Sequence, residues 1–177
     1  MAIVYISIGS NINPAENVRQ SLRLLVKHVR IIHISTLYLN EAIDRPEQPQ
    51  YYNGVIAIET EQPPVDLKYN ILRAVETQLG RNRTLDKSAP RPIDLDILIY
   101  DEMVIDSPEI MLPDPWILKR PFIAIPLYEL APNLVLPKYR SPIKNIAAKM
   151  DCSKMQPLDT YTQMLRKEFI TYAEKKR

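Results

Sequence analysis

The sequence predicts an α+β sandwich, with one antiparallel sheet, helices packed on it and a helical extension at the C-terminus. Three observations carry this. Four short β-branched and apolar runs are separated by two runs of helical periodicity. The 177 residues make one domain at a soft prior of ~150 residues each. The composition, 46% hydrophobic and 25% charged, is that of a chain that buries a core, not of a disordered one.

Each element has a local reason. Residues 3–8 read as a buried strand, from which Gly9 turns the chain out. A helix follows, with Asn13 as N-cap, Pro14 at its first position and Glu16 in its first turn. Val18, Leu22, Leu25 and Val29 form its apolar stripe. Residues 29–39 are apolar and β-branched, a second strand; 40–50 are polar, hold Pro46 and Pro49, and form a loop. Residues 52–59 alternate as a third strand. Pro63-Pro64 begins a helix with Leu67, Ile71, Leu72, Val75 and Leu79 on one face, and Gly80 sits where a C-cap glycine belongs. Residues 81–91 are a charged loop whose one apolar anchor is Leu85. Residues 93–100 form the fourth strand. Beyond an irregular, proline-punctuated stretch, residues 121–130 read as a short helix packing Phe122, Ile125 and Leu127. A last helix over about 158–175 carries Tyr161, Leu165, Phe169 and Tyr172 on one side and ends in a basic Lys175-Lys176-Arg177. The order β-α-β-β-α-β is that of the ferredoxin-like fold, with two helices on one face of the sheet. Residues 1–150 read as one domain and 151–177 as a helical extension of it.

Counting excludes several classes. One cysteine, Cys152, leaves no disulfide framework and points to a reducing compartment. No apolar run reaches the ~18 residues of a membrane span, and residues 1–10 lack the basic start of a signal peptide. A cytoplasmic chain, off the membrane and monomeric, is expected. A net charge of +2 argues against a nucleic-acid coat. Two histidines, His28 and His33, and one cysteine argue against zinc, and no nucleophile elbow is present.

The chemistry concentrates after Gly80. Asp94 and Asp96 stand two apart on a strand and so share a face, with Ile93, Leu95, Ile97 and Ile99 on the other. Adjacent carboxylates repel, and a hard divalent cation relieves this; Mg²⁺ commonly brings phosphates with it. Arg81, Arg83 and Arg91 flank the pair, and the guanidinium fork suits phosphate oxygens. Taken alone, the same D-x-D fits a solubilising strand edge.

The wider pattern decides between these readings. YISIGSN (residues 5–11), QPQYYN (48–53), ETQLGRNR (76–83), PRPIDLDILIY (90–100), Leu112-Pro113, KRPF (119–122) and PLYELAP (126–132) occur in this order. Together they resemble the 6-hydroxymethyl-7,8-dihydropterin pyrophosphokinases of folate biosynthesis, over roughly residues 3–137. The resemblance implies transfer of pyrophosphate from ATP to the pterin hydroxymethyl group, with release of AMP. It implies that Asp94 and Asp96 ligate two Mg²⁺ ions, and that Arg81 and Arg91 bind phosphate and stabilise the transition state. It places Glu76, Arg83, Ile97 and Arg120 at the ATP. It places Asn40, Ile43, Tyr51, Asn53 and Phe122 at the pterin, Tyr51 and Phe122 flanking the ring and Asn53 reading its edge.

Some positions depart from the pattern. Asp114 stands where the family usually has a histidine, Lys87-Ser88-Ala89 where it has Arg-Trp-Gly, and Asn40-Glu41-Ala42 where it has Thr-Glu-Pro. The metal and phosphate residues survive while their surroundings change. Two alternatives follow: the same reaction on another reduced pterin, or a silent pterin- or nucleotide-binding module. An RNA-binding ferredoxin-like domain is the third, without clear stacking aromatics on its strands.

Overall fold

The computed structural model describes residues 1–43, 45–84, 86 and 88–174, with side chains described up to residue 170. Leu85, Lys87, the Tyr172 side chain and the basic end 175–177 therefore lie outside the described residues. Strand β1 (Ala2–Ser10) turns Val4, Ile6 and Ile8 to one face and Tyr5, Ser7 and Gly9 to the other. In helix α1 (Pro14–Leu25) the stripe Val18, Leu22 and Leu25 is buried as expected. Asn13 does not cap it through its side chain. Its backbone is left-handed, φ 41°, rather than extended, and its carbonyl accepts from the Glu16 and Asn17 N–H groups instead.

The expected second strand is broken into β2 (Arg30–Ile34) and β3 (Tyr38–Asn40). Both pair with β4 (Tyr51–Thr60). At the break, Thr36 turns its N–H out of the ladder to the Glu129 carboxylate, at 3.0 and 3.1 Å. The Ser35 hydroxyl takes over one ladder bond, accepting from the Val55 N–H at 2.9 Å.

The next helix comes in three registers: α2 (Pro64–Asp66), a π-helical stretch Leu67–Leu72 and α3 (Arg73–Gln78). Gly80 ends it in the left-handed region, φ 85°. The Gly80 N–H donates to Thr77 O and the Arg81 N–H to Glu76 O, both at 3.0 Å. This is a Schellman end, and it delivers Arg81 beside the turn that carries Glu76.

Strand β5 (Asp94–Tyr100) pairs with β1, Gly9 opposite Asp94 and Ser7 opposite Asp96. A bulge leaves Leu98 extra, because Ile6 opposes Ile97 and Tyr5 opposes Ile99. The bulge corrects one expectation. Ile93, Leu95 and Ile97 share the helix-side core, but Ile99 joins Leu98 on the opposite side. The sheet order β5-β1-β4, with β2 and β3 both on the far edge of β4, is antiparallel throughout. That is the ferredoxin-like arrangement.

The rest of the chain folds back on the sheet. It comprises a hairpin of β6 (Ile105–Asp106) and β7 (Met111–Leu112), a 3₁₀ turn Pro115–Leu118, α4 (Pro121–Leu130), a hairpin of β8 (Val135–Leu136) and β9 (Ser141–Pro142), and α5 (Ile143–Ala147). Helices α4 and α5 cover the second face of the sheet, burying Ile123, Ala124, Leu127 and Ile143 against Val55, Leu98 and Ile99. The expectation of helices on one face alone is thus corrected. In α4 the buried side is Ile123, Ala124 and Leu127, which leaves Phe122 half-buried at the edge.

The extension adds strand β10 (Gln156–Pro157), paired with β3, and helix α6 (Asp159–Glu174). Leu165 and Phe169 of α6 are buried in the helix-side core. Each contributes ~1.5–3 kcal/mol by area. The pairs of Arg19 and Arg23 with Glu168 are open to solvent and screened by it, so apolar burial is what holds the extension. Among the described residues no helix is long and apolar enough to cross a membrane.

Candidate active site

The second face of the sheet is apolar at α4 and becomes polar toward one end. There β1 brings Ser7 and Gly9, β4 brings Tyr51 and Asn53, and β5 brings Asp94 and Asp96, and the start of α4 adds Arg120 and Phe122. Gly9 does not turn the chain out of β1; it pairs with Asn53 and Asp94 inside the sheet. What it supplies is room, since a Cβ there would stand 2.9 Å from Asn53 Oδ1.

Three hollows meet at the two aspartates. A cavity of ≈ 160 Å³ is lined by Asn40, Ile43, Tyr51, Asn53, Phe122, Arg91, Arg120 and Asp94, among others. A second, of ≈ 320 Å³, is lined by Arg81, Arg83, Arg91, Asp94 and Asp96 and their loop. A third, of ≈ 250 Å³, lies between Lys68, Asp96, Ile97, Ile110, Asp114 and Trp116. A larger hollow, ≈ 760 Å³ between Met1, His28, Glu59 and Phe169 at the other end of β4, contains none of the expected residues.

Charge is distributed unevenly between the two acids. Both Asp94 oxygens are engaged: Arg81 donates to Oδ1, and Arg91 Nη1 donates to Oδ2 at 2.7 Å. The Asp96 carboxylate accepts no hydrogen bond among the described residues. It is exposed by area but recessed between protein walls, so its desolvation is that of a recess and not of a sealed core. That desolvation, followed by repulsion from Asp94, Asp114 and Glu76, pushes its pKa up to about 7. Burial likewise raises Asp114, whose Oδ1 accepts from the Trp116 N–H at 2.8 Å.

Glu76, expected at the nucleotide, is 2% exposed. Its Oε1 accepts from Arg81 Nη1 at 2.6 Å and the Leu95 N–H at 2.9 Å, and its Oε2 from Arg83 Nη2 at 2.6 Å. It meets arginines and the backbone of β5, and no open space. Burial disfavours charge on Arg81, but Asp94 and Glu76 outweigh this and raise its pKa. Ile97, also expected at the nucleotide, packs in the helix-side core and reaches the third hollow at its edge.

On the ring-lined side, Asn53 Nδ2 donates to Asn40 Oδ1 at 2.9 Å, fixing both amides. The Tyr51 hydroxyl is raised by burial, against the pull of Arg91 beside it. Ile43 stands half-exposed at the rim. Three residues escaped the sequence reading. Buried Asn11 accepts from the Arg91 N–H at 2.8 Å and donates to Gln48 Oε1 and Pro49 O, both at 3.3 Å, joining two loops. Gln48 in turn donates to Ser88 O at 2.8 Å, so the arginine loop has a polar anchor. Trp116 stacks on Arg120, 3.9 Å from ring centroid to Cζ. Asn11 and Gln48 fall inside quoted motifs, which was the available signal; nothing local marks Trp116.

A carboxylate pair set between an arginine-lined hollow and a ring-lined one defines the class as an α+β enzyme that works on phosphates next to a flat molecule. A family model described as 7,8-dihydro-6-hydroxymethylpterin-pyrophosphokinase matches residues 5–132, and the chain belongs to that family. It is 36% identical over 140 residues to the 2-amino-4-hydroxy-6-hydroxymethyldihydropteridine pyrophosphokinase of Pseudomonas aeruginosa, covering 77% of this chain and 85% of that one. It is 35% identical over 145 residues to the enzyme of the same name from Aquifex aeolicus, covering 81% and 89%. The folic acid synthesis protein fol1 of Schizosaccharomyces pombe is 34% identical across 97% of this chain, which spans 23% of that longer protein. A solved Plasmodium falciparum HPPK-DHPS with pteroate superimposes with a TM-score of 0.65 over 84% of this chain and 44% of its own. At 13% identity that match speaks for the fold alone.

Proposed function

We propose that this chain transfers the terminal pyrophosphoryl group of ATP to the hydroxymethyl oxygen of 6-hydroxymethyl-7,8-dihydropterin, in folate biosynthesis. The oxygen attacks the β-phosphorus, the bond from that phosphorus to the α–β bridging oxygen breaks, AMP leaves, and the hydroxyl proton is lost. One observation carries the reading: Asp94 and Arg91 line both the ring-lined and the arginine-lined hollows, and Asp96 stands beside Asp94 in the arginine-lined one and in a recess shared with Asn53, Arg120 and Phe122. A pterin in the first and a polyphosphate in the second would meet there.

Each residue then has a task. Tyr51 and Phe122 offer aromatic faces to the pterin. Asn53, oriented by Asn40, offers its edge the donor and acceptor of an amide. Arg81, Arg83, Arg91 and Arg120 receive the phosphate oxygens, and Arg91 engages charge as it develops. The acids suit Mg²⁺: hard oxygens two apart on one face, one of them without a hydrogen-bond partner, and no group of three His, Cys, Asp or Glu among the described residues to close a protein cage. Mg²⁺ is commonly held this way, by one or two carboxylates with substrate phosphates and water. Two such ions, held by Asp94 and Asp96, would screen the charge between the phosphates. Asp94 would be freed for this role if Arg81 and Arg91, which hold it now, passed their hydrogen bonds to phosphate.

The test is release of AMP from ATP by the purified chain with Mg²⁺ and 6-hydroxymethyl-7,8-dihydropterin. Stoichiometric AMP and pterin pyrophosphate are expected. AMP formed equally without the pterin, or none with it, overturns the proposal.

A further inference from the structure

The four site arginines are not held alike. Glu76 and Asp94 hold Arg81, Glu76 holds Arg83, and Asp94 holds Arg91. Arg120 has no direct hydrogen-bond or ion-pair partner for its guanidinium among the described residues, and its Nε is buried; Asp114, Asp94 and Asp96 act on it only through space, around the same recess. It nevertheless has a fixed place. Its Cζ lies 3.9 Å from the Trp116 ring centroid and 5.8 Å from that of Phe122. The stack is built into the backbone, for the Arg120 N–H donates to Trp116 O at 2.9 Å, and the Trp116 N–H is pinned by Asp114. Lys119 reaches the same ring from farther off, at 5.6 Å.

An acid would hold an arginine as firmly, but it would also cancel the charge that an anion needs to find. An aromatic face holds a guanidinium through its quadrupole and leaves the N–H edge and the net charge available. We propose that Trp116 is a positioning residue: it presents Arg120, with its N–H edge not taken up by a direct ion pair, to the polyphosphate of the nucleotide. The inference rests on the pyrophosphokinase reading of this site and adds a residue to it. Trp116 acts through Arg120 and not by touching the nucleotide base.

The experiment is a double-mutant cycle of Trp116→Leu and Arg120→Met, read by calorimetric binding of Mg·ATP and of inorganic tripolyphosphate, which has no base. Trp116→Leu is expected to weaken both ligands alike, by about three- to tenfold, the range of a partly desolvated cation–π contact. In the Arg120→Met background the same change should cost nothing further. Trp116→Phe, which keeps a ring, should recover most of the loss and shows that the fold is intact. Trp116 is the only tryptophan, so its emission should change when tripolyphosphate binds the wild type and stay constant in Arg120→Met. Loss for ATP but not for tripolyphosphate overturns the inference, since the ring would then be stacking the base. So does an equal loss in both backgrounds. If Arg120→Met leaves both affinities unchanged, the placement of Arg120 at the phosphates fails as well.

Discussion

Glu76 is where the structure and the resemblance diverge, and it supports the most discriminating prediction. A nucleotide-contacting carboxylate would, when removed, alter ATP affinity and leave stability alone. A buried strut should do the reverse. In Glu76→Gln the amide can still accept at one oxygen, but its NH₂ group faces a guanidinium, so at least one charge-assisted bond is lost and two donors oppose each other. Such bonds contribute ~1.5–3 kcal/mol each. Breaking a buried ion pair from one side costs ~3–5 kcal/mol. Arg83 is half-exposed and recovers water, whereas Arg81 is 10% exposed and keeps Asp94. The net loss should therefore lie at the lower end, about 2–3 kcal/mol. For a chain of this size that lowers Tm by roughly 5–10 °C. Urea unfolding with calorimetry checks it, alongside the Kd for ATP. An unchanged midpoint with ATP binding weakened tenfold would refute the strut and restore Glu76 to the nucleotide.

Three further outcomes are expected. Phe122→Ala should weaken pterin binding about tenfold with a smaller effect on ATP, given ~0.5–1.5 kcal/mol for a stacked pair beyond area burial; equal losses would count against a ring at that wall. Arg91→Ala should lower kcat by orders of magnitude with a modest change in the ATP dissociation constant, because a group that engages developing charge acts on the transition state; a loss confined to KM would remove it from that role. Asp96 makes the metal-free chain pH-sensitive. Its folded pKa, about 7, exceeds its ordinary value of 3.8, so between these values the native state holds a proton that the unfolded chain has released. Its stabilising contribution is full below pH ~4 and is lost as pH rises to ~7. Urea midpoints of wild type and Asp96→Asn at pH 5 and pH 8 should therefore diverge, wild type losing more; parallel profiles would show that Asp96 is not perturbed.

What was legible in the sequence follows the range of the forces involved. The strands and helices that frame the sheet were readable because alternation and 3.6-residue periodicity are local, and so was Gly80, whose left-handed end needs no partner. The shared face of Asp94 and Asp96 is likewise a property of three consecutive strand residues. The break between β2 and β3 was not readable, because the N–H of Thr36 leaves the ladder for an acid 93 positions away. Nor was the second layer, whose short hairpins and proline-punctuated turns show no period until α4 and α5 meet Val55 and Leu98.

The site divides along the same line. Motif matching finds residues that touch a ligand and residues that hold those residues, and does not separate them. Asn11 lies in one motif and acts on loops 37 and 80 positions away. Glu76 lies in another and is enclosed by the arginines it was expected to accompany. Only burial and hydrogen-bond direction tell the two kinds apart. A carboxylate 2% exposed, with both oxygens engaged by Arg81, Arg83 and Leu95, offers a substrate no open approach. Asp96, exposed and without a hydrogen-bond donor among the described residues, keeps its oxygens open to what enters the recess.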